Sequence, residues 1–266
     1  MTNNASNATS NTNNLIDNVS NSINHASNSN KNTNNSINTA SNASKYVIFD
    51  LDGTILNTLP DLAGATNHTL ATHNFPPRTL DETRLYIGDG VEKLLERAFG
   101  SHSLDDESMR LAIKDFKEFY SAHNADLSTP YDGICDTLAL LRKDGWRIGV
   151  ISNKYQQATS ALCDKFFAGL VDCATGSREG LPVKPNRAMF DCFLSENSIP
   201  IDSFLIFVGD SPSDKVFADN CKMAFCGVTW GFRTKKELQN ADIFPLVDDI
   251  AQLKDEICRI FSQSTK

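Results

Sequence analysis

The chain has 266 residues, 40% of them hydrophobic, and a formal net charge of −8. That is enough apolar material for one full core and a smaller satellite module. The acidic balance and lack of a basic stripe argue against nucleic acid as a partner, and no run approaches the ~18 apolar residues of a membrane-spanning helix.

Residues 1–44 are almost entirely Asn, Ser, Thr and Ala. Such a segment buries too little apolar surface to offset the entropy of ordering and is expected to be a disordered tail. Leu15, Ile16, Val19 and Ile23 have helical spacing, but within a polar tract this is expected by chance. The sequons at Asn4, Asn7, Asn18 and Asn42 arise freely in such composition. No basic segment precedes an apolar run, so no signal peptide is expected and a cytoplasmic location follows. The seven cysteines are odd in number and lack CxxC spacing, which predicts free thiols in a reducing compartment.

From Lys45 onward, strand-like and helix-like runs alternate. Residues 46–49, 146–151, 204–208 and 224–229 are short apolar runs, as expected of strands buried on both faces. Ile134, Leu138 and Leu141 share a helical face that ends at Gly145. Met189, Phe190, Phe193 and Leu194 form a second stripe, and Ile250, Leu253, Ile257 and Ile260 a third. The alternation predicts an α/β fold: a Rossmann-like parallel sheet with helices on both faces. Residues 62–129 break the pattern. A capping box at Thr79 and Glu82 and stripes at Val91–Phe99 and Met109–Tyr120 predict a helical insertion. The catalytic core would then comprise residues 45–61 and 130–266.

The polar residues at the strand ends carry the chemistry. The first strand ends in Asp50-Leu51-Asp52-Gly53-Thr54, the second in Ser152-Asn153-Lys154, the third in Gly209-Asp210-Ser211, with Asp214 four residues after Asp210. In a parallel sheet these ends share one edge. Clustered carboxylates repel, so such a crevice needs a hard divalent cation, and Mg²⁺ suits a few carboxylates plus a substrate phosphate. One carboxylate can attack phosphorus while the other protonates the leaving oxygen and later activates water.

Phe49-Asp50-Leu51-Asp52-Gly53-Thr54 resembles the first motif of the haloacid dehalogenase superfamily. Ser152 fits its second motif, Lys184-Pro185 its third and Gly209–Asp214 its fourth, in order, over essentially all of residues 45–266. The resemblance implies Asp50 as nucleophile and Mg²⁺ ligand, and Asp52 as acid/base with its carbonyl on the metal. It implies Asp210 as a further ligand, supported by Asp214. Ser152, the Asn153 backbone and Lys184 would hold phosphoryl oxygens, while Thr54 would steady the loop around Asp52 as part of that phosphate-binding set. The insertion resembles a C1-type cap.

Within the superfamily the chain looks most like the phosphoglycolate phosphatase group, through Leu59–Leu62, Ile87–Gly100 and Val228–Phe232. That implies a small phosphorylated metabolite as partner, with 2-phosphoglycolate as one candidate. Asn57-Thr58 departs from the group's usual Asp-Ser, and an effect on loop contacts rather than on the reaction is expected. Bland readings stand beside several of these. Asp214 is equally a first-turn acid favoured by the helix dipole. Gly88-Asp89-Gly90 is either an interhelical turn or a specificity loop, and Lys93 is either a substrate contact or part of a solvated face with Arg97. A sugar-phosphate mutase uses the same core residues. A dehalogenase would not need Asp52, and a non-enzymatic binding protein would not need the whole constellation. Nothing in the chain fixes its oligomeric state.

Overall fold

The computed structural model describes residues 44–100, 104–200 and 202–264. The tail reading, with its sequons and the spacing of Leu15–Ile23, falls on residues 1–43 and lies outside the described residues.

In chain order the elements are β1 (Lys45–Phe49), β2 (Leu56–Asn57), α1 (Leu59–Thr72), α2 (Leu80–Tyr86), α3 (Val91–Phe99), α4 (Asp106–His123), β3 (Thr129–Pro130), α5 (Ile134–Lys143) and β4 (Arg147–Tyr155). They continue as α6 (Gln156–Phe166), β5 (Cys173–Ser177), α7 (Ala188–Glu196), β6 (Phe204–Gly209), α8 (Pro212–Cys221), β7 (Ala224–Val228), α9 (Lys235–Asn240), β8 (Leu246–Val247) and α10 (Ile250–Ser264). A six-stranded sheet runs β5-β4-β1-β6-β7-β8, every pairing parallel. β2 and β3 form a separate antiparallel ribbon.

Strand periodicity divides the apolar side chains between two faces. Val47, Phe49, Ile148, Val150, Ile206 and Val208 meet Leu138 and Leu141 of α5 and Leu253 and Ile257 of α10. Tyr46, Ile48 and Phe207 meet Phe190 and Phe193 of α7 and Phe217 of α8. The predicted helical stripes are the faces that cover the sheet. Local signals set the ends. After α5, Gly145 has a φ of 82°. Its N–H reaches the Arg142 carbonyl and that of Trp146 reaches Leu141, the bonding of a Schellman stop. Strands β5 and β8 escaped the sequence reading. The first is small and polar, Cys-Ala-Thr-Gly-Ser, and the second has only two residues. Both sit at sheet edges, where parallel pairing rather than apolar content defines them.

Helices α1 to α4 lie between β2 and β3, over the stretch expected as a helical insertion at 62–129; they begin at Leu59 and end at His123, and Thr129 already belongs to β3. Pro60 sits in the first turn, where its missing N–H is no loss. Thr79 and Glu82 form the predicted reciprocal box at the start of α2. These helices enclose their own core of Leu70, Leu95, Phe99, Phe116 and Tyr120, to which Phe232 from the loop after β7 is added. The buried Asp61 carboxylate closes the base of the block. It accepts from the Leu127 N–H at 3.0 Å, the Ser128 N–H at 2.8 Å and the Ser128 hydroxyl at 2.7 Å. All seven cysteines are free thiols, and no described helix is long and apolar enough to cross a membrane.

Candidate active site

β1 lies between β4 and β6, where the strand order runs outward in both directions. Ligands bind open α/β sheets outside the carboxyl ends at such a point. The first carboxylate stands at the end of β1. The Asp50 N–H still pairs with the Val208 carbonyl, at 2.9 Å, so the sheet itself places it. Its Oδ1 accepts from the Leu51 N–H at 2.7 Å and from Lys184 Nζ at 3.0 Å. Three residues on, Gly53 takes a φ of 81° and turns the chain, and a Cβ there would press on the Asp210 carboxylate. That is why glycine follows Asp52.

Asp210 follows β6 and is buried. Thr54 donates to its Oδ1 at 3.2 Å, and the Phe232 N–H donates to Oδ2 at 2.6 Å. Asp214 is the third residue of α8. Its Oδ2 accepts from the Ser211 hydroxyl at 2.6 Å in a reciprocal capping box, and its Oδ1 accepts from Lys184 Nζ at 2.8 Å. The helix-start reading of Asp214 is thus physically present, and the same carboxylate also holds the buried Lys184. Oxygen atoms of Asp50, Asp210 and Asp214 lie within 4.8 Å of one another. Lys184, its side chain 1% exposed, bridges Asp50 and Asp214 from below.

Crowding shows in the proton affinities. Burial, with repulsion from Asp214, Asp210 and Asp52, pushes the Asp50 carboxyl well up, against the pull of Lys184. Burial and then Asp214 raise Asp210 to about 7, although the Phe232 N–H, Arg233 and the Thr54 hydroxyl oppose the rise. Burial works against the Lys184 ammonium, but Asp214 and Asp50 outweigh it and hold the lysine above its ordinary value.

Asp52 lies on the wall of a cavity of about 60 Å³ shared with Asp50, Ser152, Asn153, Lys154 and Asp210. Its Oδ1 accepts from the Thr58 hydroxyl at 2.5 Å and lies 3.2 Å from Lys154 Nζ. Thr58 therefore touches the second carboxylate itself. Thr54 is fully buried with its hydroxyl on Asp210, which ties the loop after Asp52 to the end of β6, and it does not line the cavity.

Ser152 and Asn153 sit near the end of β4, on the cavity wall. The Asn153 amide accepts from the Lys184 N–H at 2.8 Å and donates to the Lys184 carbonyl at 3.1 Å and the Gly88 carbonyl at 2.9 Å. One side chain thus fixes the lysine segment and the helical block together. Gly88 and Gly90 line the cavity, but Asp89 turns to Arg97. Lys93 is 54% exposed and pairs with Glu96 at 2.7 Å, away from the cavity. α3 turns Leu94 and Leu95 inward, so Lys93 beside them faces solvent.

Sequence reasoning placed Lys154 among the polar residues of the crevice without a particular role, and gave none to Tyr120 or Arg233. Tyr120 was legible only as part of an apolar stripe. Arg233 clasps the end of α2, donating to the Arg84 carbonyl at 2.8 Å and the Ile87 carbonyl at 2.9 Å, while Arg84 returns a bond to the Phe232 carbonyl. Since the Phe232 N–H holds Asp210, this crossed pair joins the helical block to the acidic cluster.

A parallel sheet with acidic groups converging at its switch point, backed by a buried lysine, defines a hydrolase of the phosphoryl-transfer kind. The family model for haloacid dehalogenase-like hydrolases matches residues 47–228, and the chain belongs to that family. It is 30% identical over 214 residues to a phosphoglycolate phosphatase of Pseudomonas fluorescens, covering 79% of this chain and 78% of that one. It is 31% identical over 189 residues to a phosphoglycolate phosphatase of Caulobacter vibrioides, covering 70% and 79%. Among solved structures, a candidate phosphoglycolate phosphatase from Lactobacillus delbrueckii subsp. bulgaricus superposes with a TM-score of 0.73 at 28% identity, over 81% of this chain and 98% of that one. Within its family the chain is a phosphatase.

Proposed function

We propose that the chain is a Mg²⁺-dependent phosphatase that hydrolyses a small phosphorylated metabolite through a phosphoryl group carried on Asp50, with 2-phosphoglycolate as the leading substrate. The observation that carries this reading is the convergence of the Asp50, Asp210 and Asp214 carboxylates beneath the cavity on which Asp52 opens. The donors are all hard oxygens, as Mg²⁺ prefers. Four carboxylates face two lysines, Lys154 and Lys184, and the formal excess of two negative charges matches one divalent cation. Asp50 and Asp210 would hold the ion, with the Asp52 carbonyl, and Asp214 would support it while holding Lys184. When bound, the cation supplies charge neutralisation for the acidic cluster and the phosphoryl oxygens.

The protein's own groups divide the rest. Asp50 bonds phosphorus as the ester oxygen leaves, and Asp52 gives that oxygen its proton. Water then attacks the phosphorus, Asp52 takes the water's proton, and the Asp50 carboxylate is released. Lys184 and Ser152 hold phosphoryl oxygens. Helices α1 to α4 act as the cap over the sheet edge, anchored through Asn153, Arg84 and Arg233. One water needs on the order of 10–15 Å³ of such space, so a cavity of about 60 Å³ favours a substrate of few atoms beyond the phosphate. The relatives' phosphoglycolate activity and the cavity's size support the same substrate, and the free thiols support a reducing, cytoplasmic location.

The test is phosphate release from 2-phosphoglycolate, sugar phosphates and nucleoside monophosphates with Mg²⁺, after EDTA, and in the Asp50→Asn variant. Asp50→Asn is expected to lose turnover by at least about 1,000-fold while keeping the parent's circular dichroism. Release at the parent rate, or transfer of phosphate to a second sugar position instead of water, would overturn the reading.

A further inference from the structure

The reaction above leaves one buried charge without a task. Lys154 is the last but one residue of β4, and its side chain is only 4% exposed. Its Nζ lies 3.2 Å from Asp52 Oδ1, donates to the Tyr120 hydroxyl at 2.8 Å and stands 4.4 Å from the Tyr120 ring centroid. Tyr120 is fully buried and belongs to α4, on the helical block rather than the sheet. The Thr58 hydroxyl reaches the same Asp52 oxygen at 2.5 Å. Oδ1 is thus met by one hydroxyl donor and the Lys154 charge, while Oδ2 takes no donor among the described residues, and Asp52 lines the cavity. A lysine this deeply buried is tolerated only where its charge and protons are met. Here they are met by Asp52, by a hydroxyl and by an aromatic face.

We infer that Lys154 and Tyr120 are positioning residues for Asp52. Lys154 fixes Oδ1 and so turns Oδ2 toward the leaving oxygen; Tyr120 fixes Lys154 from the helical block. The geometry of the acid therefore depends on how α4 is seated. This rests on the reading of Asp52 as acid and base. In the first step the phosphorus–ester oxygen bond breaks, the bond from Asp50 forms, and the proton passes from Asp52 Oδ2 to the departing oxygen. In the second, water bonds phosphorus, the Asp50 bond breaks, and the water's proton returns to Oδ2. Lys154 transfers no proton in either step. The rival role for Lys154, a direct ligand to the substrate's distal group, would raise KM for that substrate without regard to the leaving group.

The leaving group separates these roles. The alkoxide of 2-phosphoglycolate needs a proton to depart; the acetate of acetyl phosphate does not. Comparing kcat/KM reports only steps through the first bond cleavage, so the later hydrolysis does not intrude. With the full chain and saturating Mg²⁺, Lys154→Met is expected to lower the ratio of kcat/KM for 2-phosphoglycolate over acetyl phosphate by about 30-fold, a loss within the range of general acid catalysis. Tyr120→Phe, which deletes one oxygen and keeps the packing, is expected to lower it by about 5-fold with KM for 2-phosphoglycolate unchanged. Asp52→Asn sets the scale. If it is selective for the poor leaving group but Tyr120→Phe lowers both substrates equally, leaves both unchanged or acts through KM alone, the positioning role is wrong. If Asp52→Asn itself shows no selectivity, the acid/base reading fails and the positioning role with it. Should Lys154→Met not fold, Tyr120→Phe decides.

Discussion

Removing the charge of Asp210 should stabilise the metal-free protein at neutral pH and destabilise it in acid. Asp210 has an ordinary value of 3.8 and is raised to about 7 by burial and by Asp214. Between those values the native state holds a proton that the unfolded state has released. Stability therefore falls as pH rises through this window, because the native state binds more protons. The full gap corresponds to about 4 kcal/mol at pH 8 for this fully buried group. Asp210→Asn removes that term. It also loses one acceptor, because Thr54 donates to Oδ1 and the Phe232 N–H to Oδ2, at a cost of about 1–2 kcal/mol. The net expectation in EDTA is a variant about 2–3 kcal/mol more stable than the parent at pH 8, and about 1–2 kcal/mol less stable at pH 4. Urea denaturation at a series of pH values reads this directly. Mg²⁺ at 100 times its Kd should then raise the parent by about 2.7 kcal/mol and the variant by much less. A difference between parent and variant that stays constant from pH 4 to pH 8 would refute the reasoning, because it would mean that Asp210 is not held protonated by its surroundings.

Two smaller expectations follow from the placement of neighbouring residues. A Cβ at position 231 would overlap the Gly53 carbonyl and the Asp210 side chain, so Gly231→Ala should cost about 1–3 kcal/mol of stability and displace Asp210. Urea melts and Mg²⁺ affinity by calorimetry check both, and parent-like values in each would show that the loop has room to yield. Lys93→Ala should leave kcat and KM for 2-phosphoglycolate within about twofold, as expected of a solvated ion pair. A tenfold rise in KM would place Lys93 at the substrate after all.

What could be read from the chain alone depended on how local the signal was. The apolar runs ending in Asp50, Ser152 and Asp210 specify buried parallel strands, and parallel strands must bring their carboxyl ends to one edge. The acidic crevice was therefore implied before any contact was known. The capping box at Thr79 and the stop at Gly145 were legible for the same reason, since each is satisfied within a few residues. Lys154, Tyr120 and Thr58 were not legible as a group. They come from β4, α4 and the segment before α1, and only packing the helical block against the sheet edge joins them. Tyr120 follows the same helical spacing as its core neighbours, so periodicity could not separate a ring that fills space from a hydroxyl that holds a lysine. Likewise neither composition nor periodicity distinguishes Lys93, which faces solvent, from Lys184, which is buried between Asp50 and Asp214; only the resemblance of Lys184-Pro185 to a family motif set it apart. The cost of burying an ammonium is offset only by partners about 30 residues or more away in the chain, and where those partners lie is a property of the tertiary fold.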